Sequence, residues 1–123
     1  VLEEQGLMDN TLIILTSDNG PVLDDGYVDQ AEELVGEHSP TGGLRGGKYS
    51  AYEGGTRVPF IVSWPGHTPK GTESPALMSQ VDLARTITEL VGAEIPAKAL
   101  PDSRNLLPAL LIPIVVEICP ILF

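Results

Sequence analysis

TGGLRGGKYSAYEGGTRVPFIVSWPG, residues 41–66, is the stretch around which the chain is organised. Its first half sets one lysine, Lys48, behind Gly46 and Gly47 and follows it with the aromatic, Gly-rich run YSAYEGG. Its second half turns apolar as FIVSW at 60–64 and stops at Pro65-Gly66. Paired glycines let a backbone approach a bound group closely, and a short apolar run closed by Pro-Gly reads as a strand. A second strand lies upstream, TLIILT at 11–16. It is β-branched and apolar without alternation, the pattern of a parallel strand buried on both faces. It ends in Ser17-Asp18-Asn19-Gly20-Pro21, and open α/β sheets bind ligands outside the carboxyl ends of their strands.

The remaining segments fit round these two strands. VLEEQG at 1–6 reads as the end of a helix with Gly6 as its terminator. Residues 22–37 are acidic, with a short helix expected over 29–35, and the loop His38-Ser39-Pro40-Thr41-Gly42-Gly43 follows. SQVDLARTITELV at 79–91 places Val81, Ala84, Ile87, Leu90 and Val91 at helical spacing, with Gly92 as its stop. Strand, loop, strand and helix in that order indicate an α/β fold.

Bulk charge narrows the function. Seven basic against 17 acidic residues give a net charge of −10, which argues against a nucleic-acid binder, since that needs a basic face to neutralise phosphates. It also opposes long-range steering of polyanions, so anion recognition must be local. The single cysteine, Cys119, cannot form an internal disulfide, and no paired Cys/His spacing suits zinc. Residues 106–123 are apolar at 14 of 18 positions but hold three prolines and Glu117, so no membrane span is expected there, since a span needs about 20 apolar residues.

TSDNG at 16–20 and the block LRGGK…EGGTRVPF…WPG at 44–66 together resemble the sulfatase family of the alkaline-phosphatase-like superfamily. The resemblance covers residues 1–111 as the C-terminal part of a catalytic domain, and leaves 112–123 as an apolar tail of unclear origin. It implies a partial alkaline-phosphatase-like sandwich, a mostly parallel sheet with flanking helices. It also implies hydrolysis of sulfate esters on a sulfated small molecule or glycan, with a formylglycine nucleophile and a divalent cation, calcium above all. By motif position Asp18 and Asn19 are the metal ligands, although Asp-Asn-Gly-Pro is strong turn chemistry by itself. Lys48 contacts the substrate sulfate, as a compact ammonium with three donors can. His38, in the loop before the lysine block, is a candidate proton donor or substrate contact. Glu53 and Arg57 bracket Gly54-Gly55-Thr56 closely enough to pair, and with Arg45 they are expected to brace the loop that presents Lys48. Tyr49 and Tyr52 are expected to pack beneath it.

Formylglycine arises from the cysteine or serine of C-x-P-S-R, and no such motif occurs in these 123 residues. The expectation is therefore a fragment, inactive alone and dependent on the rest of the catalytic domain, whose parent is periplasmic or secreted. Two alternatives remain: a phosphodiesterase or phosphonate hydrolase of the same superfamily, and a non-catalytic anion-binding remnant.

Overall fold

A computed structural model describes residues 1–96 and 98–111. The apolar tail expected at 112–123 lies outside the described residues. Contacts divide the chain into two compact units, residues 14–61 and residues 1–13 with 62 onward, and each is taken by itself.

Strands β1 (Ile13–Thr16) and β2 (Phe60–Ser63) pair in a two-stranded sheet. The pair is antiparallel, and beyond it Gly20 N–H donates to Gly55 O at 2.8 Å. The mostly parallel sheet expected from the non-alternating run of β1 therefore does not appear among the described residues. Such a run reports burial on both faces, not the direction of the partner. Even that burial is partial here, because Leu15 and Ile61 remain exposed. Within 14–61 the acidic segment forms only the short helix α1 (Ala31–Leu34), and EGGT forms a single helical turn, α2 (Glu53–Thr56).

The other unit is ordered by glycine stops and by hydrogen bonds. Gly6, at φ 66°, donates to Glu3 O while Leu7 N–H reaches Leu2 O; that 5→2 and 6→1 pair is the Schellman closure expected of a C′ glycine. A one-turn 3₁₀ segment, Met8–Asn10, leads into β1. Helix α3 (Asp82–Leu90) ends the same way at Gly92, with Gly92 N–H to Glu89 O and Ala93 N–H to Thr88 O. Helix α4 (Leu107–Leu111) contacts α3.

The face α3 presents differs from the one its apolar spacing indicates. Val81, Ala84, Ile87 and Val91, the positions expected to pack inward, are exposed and Leu90 is only half-buried. The buried side chains are polar: Asp82, 1% exposed, and Thr86, 2% exposed. Along that polar face runs the segment 99–106. Asp82 Oδ1 accepts from Arg104 N–H (2.8 Å), Asp82 Oδ2 from Ser79 N–H (2.9 Å), and Thr86 Oγ1 from Leu106 N–H (3.0 Å). Arg85 donates from Nε to Ser103 O (2.7 Å) and from its guanidinium to Ala99 O and Leu100 O. Among the described residues no apolar side chain is buried.

Candidate functional site

The site lies wholly within residues 14–61. It begins where β1 ends. Ser17 Oγ donates to Asn19 O (3.0 Å) and Asn19 Nδ2 to Gly20 O (2.9 Å), so Ser17-Asp18-Asn19 curls into a turn and Gly20 is buried. Gly20 then packs backbone to backbone on α2, where a Cβ would collide with Gly54 O. Gly54 in turn packs against the carbonyls of Arg45 and Gly46, and Gly55 against those of Gly47 and Ser50. Four glycines, Gly20, Gly47, Gly54 and Gly55, thus interlock without room for a side chain, which explains two glycines inside a helical turn that propensity would disfavour.

This interlock brings Lys48 to the end of β1. Its backbone N–H donates to Pro21 O (2.9 Å), two residues after Asn19. The loop is tied off by Ser50, whose N–H and Oγ both bond to Gly47 O and whose Oγ accepts from Gly47 N–H (3.2 Å). Held at both sides, Tyr49 takes a left-handed φ of 71°, costing about 1 kcal/mol for a non-glycine residue. Tyr49 is 82% exposed, and the Lys48 ammonium stands over its ring, 5.3 Å from the centroid. Tyr49 therefore does not pack beneath the loop. Tyr52 is also part-exposed, with the Arg45 guanidinium 3.7 Å above its ring.

Arg57 and Glu53 form an ion pair at 3.0 Å across α2, both well exposed. Arg45 contributes through its carbonyl, which accepts Gly54 N–H at 2.8 Å. An open cleft of about 740 Å³ adjoins the turn, lined by Ser17, Asn19, Pro40, Thr41, Leu44 and Arg57 among others; Lys48 and Asp18 are not among its lining residues. His38 stands apart. Its imidazole is exposed, its backbone N–H bonds Val35 O, and no hydrogen bond or ion pair links it to Asp18, Asn19 or Lys48 among the described residues.

A divalent cation fits the turn in part. Asp18 is exposed, and Asn19 is anchored through its amide nitrogen, leaving the carbonyl oxygen for a ligand. Two hard oxygens suit calcium but cannot complete a shell of about six to eight. No group of three His, Cys, Asp or Glu side chains assembles among the described residues. Sequence reasoning also missed Pro21, Ser50 and the strain at Tyr49. The Asn-Gly-Pro and Gly-Gly-Lys stretches were visible as turns, but which carbonyl receives Lys48 N–H is a long-range matter.

Comparison with known proteins agrees with the motifs. The Sulfatase family profile matches residues 1–93. The chain is 52% identical to an N-acetylgalactosamine-6-O-sulfatase of Bacteroides thetaiotaomicron over 89% of its own length and 21% of that protein. It is 40% identical to the steryl-sulfatase of Rattus norvegicus (89% of this chain, 18% of that protein) and 38% identical to the human N-acetylgalactosamine-6-sulfatase (90% and 20%). A solved Bacteroides thetaiotaomicron sulfatase from a locus for glycosaminoglycan metabolism superposes with a TM-score of 0.81 at 52% identity, covering 89% of this chain and 23% of that one. Ps i-CgsB, solved in complex with k-i-k-neocarrahexaose, superposes with a TM-score of 0.70 at 35% identity, over 88% of this chain and 21% of that one. The chain belongs to the sulfatase family. It spans about a fifth of the length of the curated relatives it matches.

Proposed function

We propose that the protein carrying this chain hydrolyses sulfate esters, with Lys48 engaging the sulfate and Asp18 and Asn19 supplying two oxygen ligands to a divalent cation, calcium. The observation that carries this reading is the bond from Lys48 N–H to Pro21 O. It holds the lysine backbone against Pro21, two residues past the Asp-Asn pair, which supports a single site at this strand end for the ammonium and the two cation ligands. A bound sulfate oxygen there meets a point charge with three donors, and as the ester bond breaks the same ammonium offsets charge building on the leaving oxygen. A cation at Asp18 and Asn19 would add Lewis-acid stabilisation of the sulfate. The nucleophile, a formylglycine, must come from outside these 123 residues, which hold no C-x-P-S-R.

His38 enters this reading by its position in the loop before Pro40 and Thr41, which line the cleft, as a candidate substrate contact with no bond to Lys48, Asp18 or Asn19 among the described residues. A sulfated sugar fits the names of the N-acetylgalactosamine-6-sulfatase relatives. The exposed apolar faces of α3, β1 and β2 fit a catalytic domain completed by further polypeptide, and also leave room for the larger, mostly parallel sheet of the alkaline-phosphatase-like fold.

The test is turnover of 4-nitrophenyl sulfate by the full polypeptide. Lys48→Ala should lower kcat/KM by about 10²- to 10³-fold, the range for removing one group that stabilises developing charge, with the melting temperature retained. Asp18→Asn should weaken calcium binding measured calorimetrically, and a calcium chelator should lower turnover. Unchanged kcat/KM in Lys48→Ala would end the assignment. His38→Ala should raise KM with little effect on calcium affinity.

A further inference from the structure

We infer that Tyr49 is a specificity-determining residue: its ring is a stacking platform beside Lys48 that receives the C–H face of a single sulfated pyranose. The inference rests on the sulfatase reading above. Three observations carry it. Tyr49 is held at φ 71°, a conformation that tyrosine rarely adopts, by bonds on both sides of it, Lys48 N–H to Pro21 O and Ser50 N–H to Gly47 O. Strain of that kind persists where the surroundings over-determine it, and such residues cluster at ligand-contacting sites. Glycine would sit there without strain, and the loop already uses glycine at Gly42, Gly43 and Gly46, so the ring is what distinguishes this position.

The strain is not spent on packing. Tyr49 is 82% exposed, and the Lys48 ammonium stands over one face of its ring, 5.3 Å from the centroid. Tyr52 carries the Arg45 guanidinium in close contact, 3.7 Å above its ring, whereas the Lys48 ammonium stands off the Tyr49 centroid at 5.3 Å and occupies one face alone. A ligand whose sulfate reaches Lys48 must bring its carbon skeleton past Tyr49. An aromatic face attracts polarised C–H groups and cations alike, and the apolar face of a pyranose presents such C–H groups. One ammonium beside one exposed ring suits one pyranose bearing one sulfate. Gly46-Gly47-Lys48-Tyr49 then divides the labour: the lysine binds what all sulfate esters share, and the tyrosine reads what distinguishes them.

The experiment is calorimetric binding to the full polypeptide, using methyl galactopyranoside 6-sulfate and methyl sulfate as probes. Tyr49→Gly should weaken the sugar sulfate by about five- to tenfold, the range for one aromatic contact, and leave methyl sulfate unchanged. Its melting temperature should stay level or rise, because glycine relieves the left-handed φ. Tyr49→Phe should keep the wild-type preference, since the ring and not the hydroxyl makes the contact. Lys48→Ala should weaken both probes. Equal loss of both probes in Tyr49→Gly, or no change in either, overturns the platform, as does a wild-type protein that binds the two equally. If Lys48→Ala changes neither probe while Tyr49→Gly weakens only the sugar, the sulfate assignment of Lys48 fails and the platform stands.

Discussion

Gly20 is required by space and not by conformation: its φ is not positive, yet a Cβ would strike Gly54 O. Gly71 is the opposite case, at φ 64° with open space around it. The two should respond differently to the same change. Gly20→Ala pushes two backbones apart and should cost about 3 kcal/mol or more in denaturant unfolding of the full polypeptide, the upper range for overpacking. Gly71→Ala carries only the left-handed penalty, about 1 kcal/mol. Equal costs would mean that the interlock of Gly20 on α2 is not what positions Lys48. The Glu53–Arg57 pair is a weaker device, because both partners are exposed and such i,i+4 pairs contribute about 0.5 kcal/mol or less. Arg57→Ala should therefore change stability by no more than that and leave sulfate affinity unaltered. A loss of sulfate affinity at constant melting temperature would make Arg57, which lines the cleft, a ligand contact and not a brace.

Helix α3 is fastened by its polar face. Burial alone would raise the pKa of Asp82, but the N–H groups of Arg104 and Ser79 and the charge of Arg104 outweigh it and hold the carboxyl below the ordinary carboxylate value. A carboxyl with a depressed folded pKa adds stability that is present above its unfolded pKa, about 3.9, and is lost as pH falls through the folded value. The full polypeptide should accordingly lose stability below about pH 4 through this residue, and Asp82→Ala should flatten that part of the profile. At neutral pH Asp82→Ala strands two N–H groups and should cost about 3 kcal/mol. Arg104→Ala loses a long pair at 3.6 Å whose arginine is largely exposed and leaves the two N–H donors to Asp82 in place, so it should cost less, about 1 kcal/mol. This element also marks how far the sequence could be read. Gly6 and Gly92 were legible as stops because a C′ glycine acts within its own turn. The stripe Val81, Ala84, Ile87 was legible as a stripe, but its facing was not, since Arg85 and Asp82 choose partners about 20 residues away. The direction of β1 against β2 was hidden for the same reason. Asp18, Asn19 and Lys48 were singled out by the motifs they sit in, and only the fold brings their backbones together through Pro21.

The chain is 42% hydrophobic in sequence, yet among the described residues no apolar side chain is buried. Folding must offset about 1–2 kcal/mol of backbone entropy per ordered residue, and burying apolar surface is the main driving force available to do so. Hydrogen bonds to charged groups such as those of Asp82 and Arg85 contribute about 1.5–3 kcal/mol each net, and the few there are specify local geometry without supplying the bulk of the stability. A chain completed by further polypeptide, as proposed above, should have Leu15, Ile61, Val81 and Ile87, all exposed among the described residues, covered in the working protein. The prediction is a contrast between preparations. Expressed as these 123 residues alone, the chain should bind a hydrophobic dye, melt broadly and exchange the amides of β2 and α3 rapidly, as expected of a polypeptide without a packed core. In the full polypeptide the same amides should be protected, and Ile87→Asp should destabilise it by about 2 kcal/mol or more, as introducing an unpaired charge into an apolar contact does. A single sharp transition from the 123 residues alone, with dye excluded, would show that the chain closes its own core and that α3 turns its apolar stripe to water in the working protein too.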